Sequence, residues 1–494
     1  MKKRLVVYFH YNPHGRVDAP CRLAVCAMRE IAQSIIFVTN GALEPESRGW
    51  AGAAGLQLRE RENTGFDVGA YREILLGLGQ ERLAEYDELI LMNYTLAGPV
   101  GSVAAMFAAM DERPALGFWG LTRHYAMKSR RFAPKGGLVP EHLQSHFLVV
   151  RQALLQAPAF WAYWQTMTLP QSYEESVICH ETRFTAYFAA QGFAWDSFVQ
   201  TEDLKQAFVN PIMACPRFLL EERQCPFFKR RSFFTPFADE LRRTDGQSAR
   251  RLYDYLKEKT DYPVDELLQA LLQTAPLSAL AQNLHWHFLL PRENSAQKVS
   301  LLEPQRITGN RLLQPGQIYY FSLPVRQAGA GAWYEQTLRP EQDILNAAAL
   351  LFEKNPMLGL LGPALPPYSQ MTAERLRQWR GAQPALRQAM QRRGIAVPID
   401  AEQPPPLPTA GCLLLRGAAF PQGLPTLDTP LDWWLLPLLA QQAGYTSATY
   451  ETPAQAAARA DVLEQTLYQA QDARAAIKNV GRILKRTIKN KCEK

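Results

Sequence analysis

Cysteine is sparse in this chain. Seven are scattered at positions 21, 26, 179, 215, 225, 412 and 492, an odd number with no CxxC pair and no Cys/His cluster at zinc spacing. That excludes a disulfide-stapled scaffold and a zinc ribbon, and it predicts a reduced, cytosolic protein. Long apolar runs are missing too: nothing approaches the ~18 residues that a bilayer-spanning helix needs. The opening MKKRLVVYFHYNPHG is basic and then apolar, yet its apolar run (5–9) is too short for the core of a signal peptide, and no small-residue cleavage site follows. It reads as a first β-strand, and the expectation is a protein in solution or at most peripheral to a membrane. No short-period repeat is present. A chain-wide charge imbalance is also missing: 54 Lys and Arg stand against 47 Asp and Glu, net +7. Eight basic residues and one acid fall within 474–494, so the excess is local and a protein-wide nucleic-acid surface is excluded. That tail also lacks the interleaved aromatics of a nucleic-acid binder.

What is present is a globular composition, 47% hydrophobic and 20% charged over 494 residues, enough for two to three domains. Residues 4–9 read as a strand, 21–32 as a helix, 34–39 as a second strand closed by the Asn40-Gly41 turn, and 56–59 as a third strand after a loop. A helix over 71–83, a buried strand over 86–92, a helix over 99–110 and a strand over 116–121 follow. After a basic, glycine-containing loop (123–140) come a strand (143–150), a helix (153–167) and a helix that begins at His180. This alternation predicts an α/β fold with a mainly parallel, Rossmann-like sheet over residues 1–240. A helical connector (241–300), a second, degenerate α/β domain for acceptor binding or assembly (301–455) and a helical tail (456–494) complete the expected order. In the tail, Ile477, Val480, Leu484 and Ile488 recur every three to four residues, with Lys478, Arg482, Lys485, Arg486 and Lys489 between them. That is a basic amphipathic helix suited to an anionic membrane surface.

The chain is organised around ENTGFDVGAYREILLGLGQERLAEYDELILMNYTLAGP (62–99). A polar, glycine-bearing turn (Asn63, Gly65, Asp67, Gly69) opens onto a helix, and Asn93-Tyr94-Thr95 stands at the tip of the buried strand that follows. Such a tip facing a glycine turn is where open α/β sheets bind nucleotides. Sugar-nucleotide-dependent glycosyltransferases of GT-A type have this layout, and the chain resembles them in it. Asp67 is either a nucleoside contact or an ordinary N-cap, since both uses employ the same oxygen. Arg72, on the helix that follows the turn, is a candidate phosphate contact. The tip triplet stands where a metal motif would be, but a divalent ion prefers carboxylate oxygen and the triplet has none. Either Mg2+ or Mn2+ bound with other ligands, or the basic loop 123–135, is left to neutralise a diphosphate. Trp119-Gly120 ends a strand on the same edge and is placed to face the donor sugar; Trp161, Trp164 and Phe227-Phe228 read as core. Glu181, at an expected helix start where the dipole favours a carboxylate, is the candidate general base. His180 competes for that role because its pKa ordinarily lies near neutrality.

The segments ENTGFDVGAYRE (62–73), YDELILMNYTLAGP (86–99), FWGLT (118–122), HLQSHFLVVR (142–151), VICHETRFT (177–185) and CPFFKRRSFF (225–234) resemble, in order and spacing, the rhamnan synthesis protein F family of polysaccharide glycosyltransferases. LLFEKNPMLGLLGP (350–363), AGCLLLR (410–416) and AQQAGYTSATY (440–450) resemble its later part more loosely. The resemblance implies a transferase at the cytoplasmic face of the plasma membrane that builds rhamnose-containing surface polysaccharide, O-antigen or lipopolysaccharide. It implies dTDP-L-rhamnose as donor, inversion at the anomeric carbon, a lipid-linked or polysaccharide acceptor, and a site that includes Asp67, Arg72, Asn93 and Glu181. Two departures stand out. The family usually has Asn-Asp-Ser where this chain has Asn93-Tyr94-Thr95. After AGCLLLR, an expected acid-rich segment is replaced by LDTPLDWWLLP with Asp428 and Asp432, which makes a second active site improbable. The alternative is a non-catalytic scaffold in a polysaccharide assembly complex, its transferase fold kept and its metal motif lost.

Overall fold

The computed structural model describes residues 2–133, 137–235, 244–291, 300–302, 311–322, 339–365, 369–406, 412–427 and 429–492. The chain divides into two compact units, 1–274 and 275–494. In the first, β1 (Arg4–Tyr11), α1 (Ala19–Arg29), β2 (Ser34–Asn40), α2 (Pro45–Ala53), β3 (Gln57–Arg61), α3 (Phe66–Leu83) and β4 (Glu88–Asn93) alternate. They are followed by α4 (Val103–Asp111), β5 (Phe118–Gly120), β6 (Phe147–Arg151), α5 (Pro158–Thr166), α6 (Thr182–Ala189) and β7 (Trp195–Ser197). The strands form one sheet in the order β7-β5-β6-β4-β1-β2-β3. Both sheet faces are covered, which is why the central strands read as unbroken apolar runs. Along β1 the side chains alternate: Val6 and Tyr8 join the layer that holds α1 and α4, and Leu5, Val7 and Phe9 join the layer that holds α3 and α5.

Four of the six strand pairings are parallel; β6 runs antiparallel to both β4 and β5. The reversal sets the start of β6, with Gln144 to His146 leading into it, at the same sheet end as the tips of β1 and β4. The helix α2 falls where the sequence reads as loop. Its nine residues include Gly49 and Gly52 and bury only Ser47 and Ala51, too weak an apolar stripe to register as a period. Conversely, α3 begins at Phe66, five residues ahead of the expected start, because Gly65 takes a left-handed conformation at its cap (φ 69°).

The stretch expected as a connector divides between the units. Helices α7 (Ser248–Lys259) and α8 (Val264–Thr274) belong to the first, and α9 (Leu277–Asn283) and strand β8 (His287–Leu289) to the second. There β8, β9 (Ser300–Leu302), β10 (Ile318–Ser322), β11 (Leu358–Pro363), β12 (Cys412–Arg416) and β13 (Thr446–Glu451) form a sheet in the order β8-β13-β11-β12-β10-β9. Helices α10 (Gln342–Lys354), α11 (Ser369–Arg392) and α12 (Pro430–Gln442) accompany it. Asp432 closes a capping box with Thr429 at the start of α12; Asp428 lies outside the described residues. The tail is one 40-residue helix, α13 (Pro453–Cys492). Among the described residues no helix is long and apolar enough to cross a membrane.

Candidate functional site

A cavity of about 1050 Å3 opens in the first unit. Its wall includes His10, Tyr11 and Asn12 at the carboxyl end of β1, and Tyr94 and Thr95 just past β4. The chain moves outward from β1 to β2 and β3, then crosses to β4 on the other side of β1. The cavity therefore sits at the topological switch point, where the strand ends diverge and leave room for a ligand. The rest of the wall comes from His124, Lys128, Arg131, His142, Gln144, Glu181, Asn210 and the run Lys229–Arg231, among others.

Glu181 is the carboxylate with the most support. Its Oε2 accepts from the Ser145 backbone N–H (3.1 Å) and hydroxyl (2.7 Å), and its Oε1 faces Nε2 of His142 at 3.6 Å. Burial alone would push this carboxyl up; the His142 imidazole, Ser145 and the Lys229 ammonium outweigh it and hold Glu181 well below the usual carboxylate range. The expected helix start is corrected here. Glu181 ends a π-helical segment (Val177–Glu181) inside a continuous helical run from Tyr173 to Ala189, so no N-terminal dipole acts on it. Adjacent side chains on this run point to different places. Glu181 faces the cavity, whereas His180 is fully buried, bonded through Nδ1 to the Tyr163 hydroxyl (2.8 Å) and ringed by Trp164 and Phe184. His180 does not line the cavity. Burial holds its pKa near 4, so it is a neutral core residue rather than a rival base.

At the tip of β4, Asn93 is buried and bonded at both ends of its amide. Its Nδ2 donates to Asp67 (2.8 Å), and its Oδ1 accepts from the Thr95 N–H and hydroxyl. Thr95 Oγ1 in turn accepts from Lys229 Nζ at 3.1 Å. Lys229 is brought there by a short antiparallel pairing in which it lies opposite Leu96. Asp67 is not the N-cap of α3; it sits in the first turn and accepts from the Val68 N–H. Burial pushes its carboxyl up, the nearby Glu181 charge adds to that, and Asn93 and Lys229 oppose it. Neither Asp67 nor Asn93 lines the cavity; they stand behind its wall, where Asn93 ties Asp67 to Thr95.

The other expected donor contacts lie elsewhere. Asn63 is exposed and bonds to Asn40 (3.1 Å). Gly65 and Gly69 serve the turn itself: a Cβ on Gly69 would come within 2.9 Å of the Thr64 carbonyl. Arg72 caps the end of α5, donating to the Trp164 (2.8 Å) and Gln165 carbonyls. Trp119 is wholly buried against Phe107 and Phe147, and Gly120 packs on Leu143 and the Phe147 carbonyl. None of these lines the cavity. Sequence reasoning missed Lys229, Ser145, His142 and Gln144, although CPFFKRRSFF and HLQSHF are clusters of polar groups beside buried strands, a signal that could have found them.

The donor set does not fit a divalent cation. The tip triplet offers no carboxylate, the Asn93 oxygen is already bonded, and an ammonium occupies the Thr95 hydroxyl. Among the described residues no three His, Cys, Asp or Glu gather as metal ligands.

Residues 35–320 match the rhamnan synthesis protein F family, more than half of the chain. The chain belongs to the rhamnan synthesis protein F family. One relative, "Uncharacterized protein y4gN" of Sinorhizobium fredii, is 28% identical over 208 residues, 42% of this chain and 51% of the relative. The chain thus spans about half the length of the curated relative it matches. Among solved structures, glucosyl-3-phosphoglycerate synthase of Mycobacterium tuberculosis aligns at 14% identity over 31% of this chain and 58% of its own, with a TM-score of 0.20. Mouse xyloside xylosyltransferase 1 aligns at 12% identity over 42% of this chain and 94% of its own, with a TM-score of 0.25. These TM-scores are too low to bear on function. The match to the rhamnan synthesis protein F family includes α3, the β4 tip, Glu181 and Lys229.

Proposed function

We propose that the first unit is a GT-A-like glycosyltransferase domain that moves a sugar, L-rhamnose from dTDP-L-rhamnose, onto a growing cell-surface polysaccharide or O-antigen acceptor with inversion. The observation that carries this reading is the cavity at the β1/β4 switch point, in which the carboxylate of Glu181 faces a wall bearing Lys128, Lys229 and Arg231. Membership of the rhamnan synthesis protein F family supports the same chemistry. Glu181, ionised throughout the neutral range, takes the proton of the acceptor hydroxyl. The oxygen forms its bond to the anomeric carbon as the bond to the diphosphate breaks, and the departing electron pair is stabilised by the basic wall. Ser145 and His142 keep the carboxylate aimed, which makes them positioning residues.

The second unit binds or orients the acceptor in this scheme. The basic stretch 474–494 rests on the anionic inner leaflet near a lipid-linked acceptor, where each Lys or Arg contributes about 1 kcal/mol. Deleting 474–494 should release the protein from anionic vesicles.

The deciding test is transfer of rhamnose from dTDP-L-rhamnose to a rhamnan or lipid-linked acceptor, followed by mass spectrometry. Glu181→Gln should retain dTDP affinity and lose transfer. Full transfer by Glu181→Gln would remove it as base, and a wild-type protein that neither transfers rhamnose nor binds dTDP would leave the scaffold reading in place.

A further inference from the structure

We propose that Lys229 is the built-in cation of this site, holding the donor diphosphate in the place a divalent metal ion would otherwise take. The inference rests on the donor-site reading above and goes beyond it in naming the group that neutralises the leaving charge. Three observations converge on it.

The first is position. The strand tip where a metal motif would stand is Asn93-Tyr94-Thr95, and Lys229 Nζ lies 3.1 Å from the Thr95 hydroxyl. The backbone holds it there: Phe228 and Lys229 pair with Ala97 and Leu96, and the Arg230 N–H donates to the Thr95 carbonyl at 3.0 Å. An ammonium tied to the strand tip by its own main chain is placed before any ligand arrives, which lowers the ordering cost of binding.

The second is the chemistry of the tip. Asn93 is engaged with Asp67 and Thr95, and Tyr94 packs against Phe9 and His10. At the cavity wall the tip presents Tyr94 and the neutral Thr95 hydroxyl beside a positive charge. A dication brought to the same spot would meet like-charge repulsion in a partly buried setting, where such repulsion is weakly screened.

The third is the division of labour among neighbouring cations. Arg230 is committed to Asp18 through two bonds of 2.6 and 2.7 Å, and Arg131 to Glu174; Lys128 and Arg231 also line the cavity, but Lys229 is the cation bonded to the β4 tip. Lys229 lines the cavity together with Thr95 and Glu181, and its charge acts on both Asp67 and Glu181. A ligand with a diphosphate complements that arrangement, because it brings negative charge to the Thr95 and Lys229 side of the cavity.

The test is isothermal titration of the full chain with dTDP and with UDP, in EDTA and again with Mn2+. The expected result is binding of at least one nucleotide with the same affinity in both buffers. Lys229→Met should weaken it by roughly 10- to 100-fold, the worth of one charge-assisted hydrogen bond, and Lys229→Arg should keep most of it. Thr95→Val, which removes the hydroxyl that steadies the ammonium, provides a second variant and should also weaken binding in EDTA; circular dichroism melts check that each variant folds. Binding that appears only with Mn2+ overturns the proposal alone, as does wild-type affinity in folded Lys229→Met. No binding of either nucleotide in either buffer overturns it together with the donor-site reading.

Discussion

In the first unit the sheet runs parallel from β7 to β5, reverses twice around β6, then continues parallel through β4, β1, β2 and β3. In the second it runs parallel from β9 to β10, reverses twice around β12, and continues parallel through β11, β13 and β8. The pattern of pairings is shared, while the order in which the chain visits the strands is not. Each unit has a cavity beside the carboxyl ends of its parallel strands. The second is about 490 Å3 and lies beside Ala364 and Leu365 after β11 and Thr449 on β13. Its lining includes Arg375, Arg459, His287, Gln282, Pro404 and Pro406, and among the described residues no carboxylate. Arg459 is itself tied to Glu451 (2.7 Å). Sheet geometry therefore provides a recess twice, and side chains arriving from outside the sheet decide whether a recess can do acid–base work. In the first unit those arrivals are Glu181 from a π turn and Lys229 from a returning segment.

That contrast can be broken most directly at Glu181. Glu181→Gln should lower transfer by about 10^2- to 10^4-fold, the usual worth of a general base, whereas Arg459→Ala in the second cavity should leave the chemical step unchanged in a single-turnover assay. A comparable loss from both would mean that the cavities act together. Next in size is Trp119→Ala: a fully buried indole removed from the first core should cost about 3–5 kcal/mol in denaturant unfolding, with no separate loss of nucleotide affinity in protein that remains folded. Loss of affinity beyond the unfolded fraction would restore Trp119 to the site.

The first unit should also be the acid-sensitive one. Burial holds His10, His124 and His180 near pKa 4 and His146 well below its ordinary value. Each stays neutral when folded and takes up a proton when unfolded below about pH 6.5. Stability is therefore lost as pH falls from about 6.5 towards 4, by up to ~1.4 kcal/mol per pH unit for each such histidine. His180→Phe, in an aromatic cage, should flatten that slope in urea melts at stepped pH; an unchanged slope would rule His180 out as a contributor. Smaller again, Arg72→Ala should cost about 1 kcal/mol through the lost Trp164 and Gln165 carbonyl bonds and leave dTDP affinity alone. An affinity loss would return Arg72 to phosphate binding. The smallest effect belongs to the second unit: Asp432→Ala, which opens the α12 capping box, should cost about 0.5–1 kcal/mol in that unit's melting transition, with transfer unaffected.

Much of this architecture was legible in the residues. Apolar runs at 5–9, 34–39 and 86–92 are short, bounded by turn or polar residues and so read as buried strands, and the helical periods between them point to a covered, mostly parallel sheet. The position of Asn93-Tyr94-Thr95 at a strand tip, its lack of a carboxylate and the candidacy of Glu181 were also readable, because they depend on local order along the chain. Which neighbours each of these side chains meets was not. His180 and Glu181 are adjacent in sequence, and the packing of their helical run turns one into the aromatic core and the other to the cavity. Arg72 and Trp119 have the right chemistry for a donor site, and the packing of α5 and α4 takes both away from it. Lys229 lies 134 residues from Thr95 in sequence, and no local pattern can announce a contact of that separation. Periodicity is set by the backbone and so is written in the sequence; convergence of charges depends on long-range packing, and only the tertiary structure decided it.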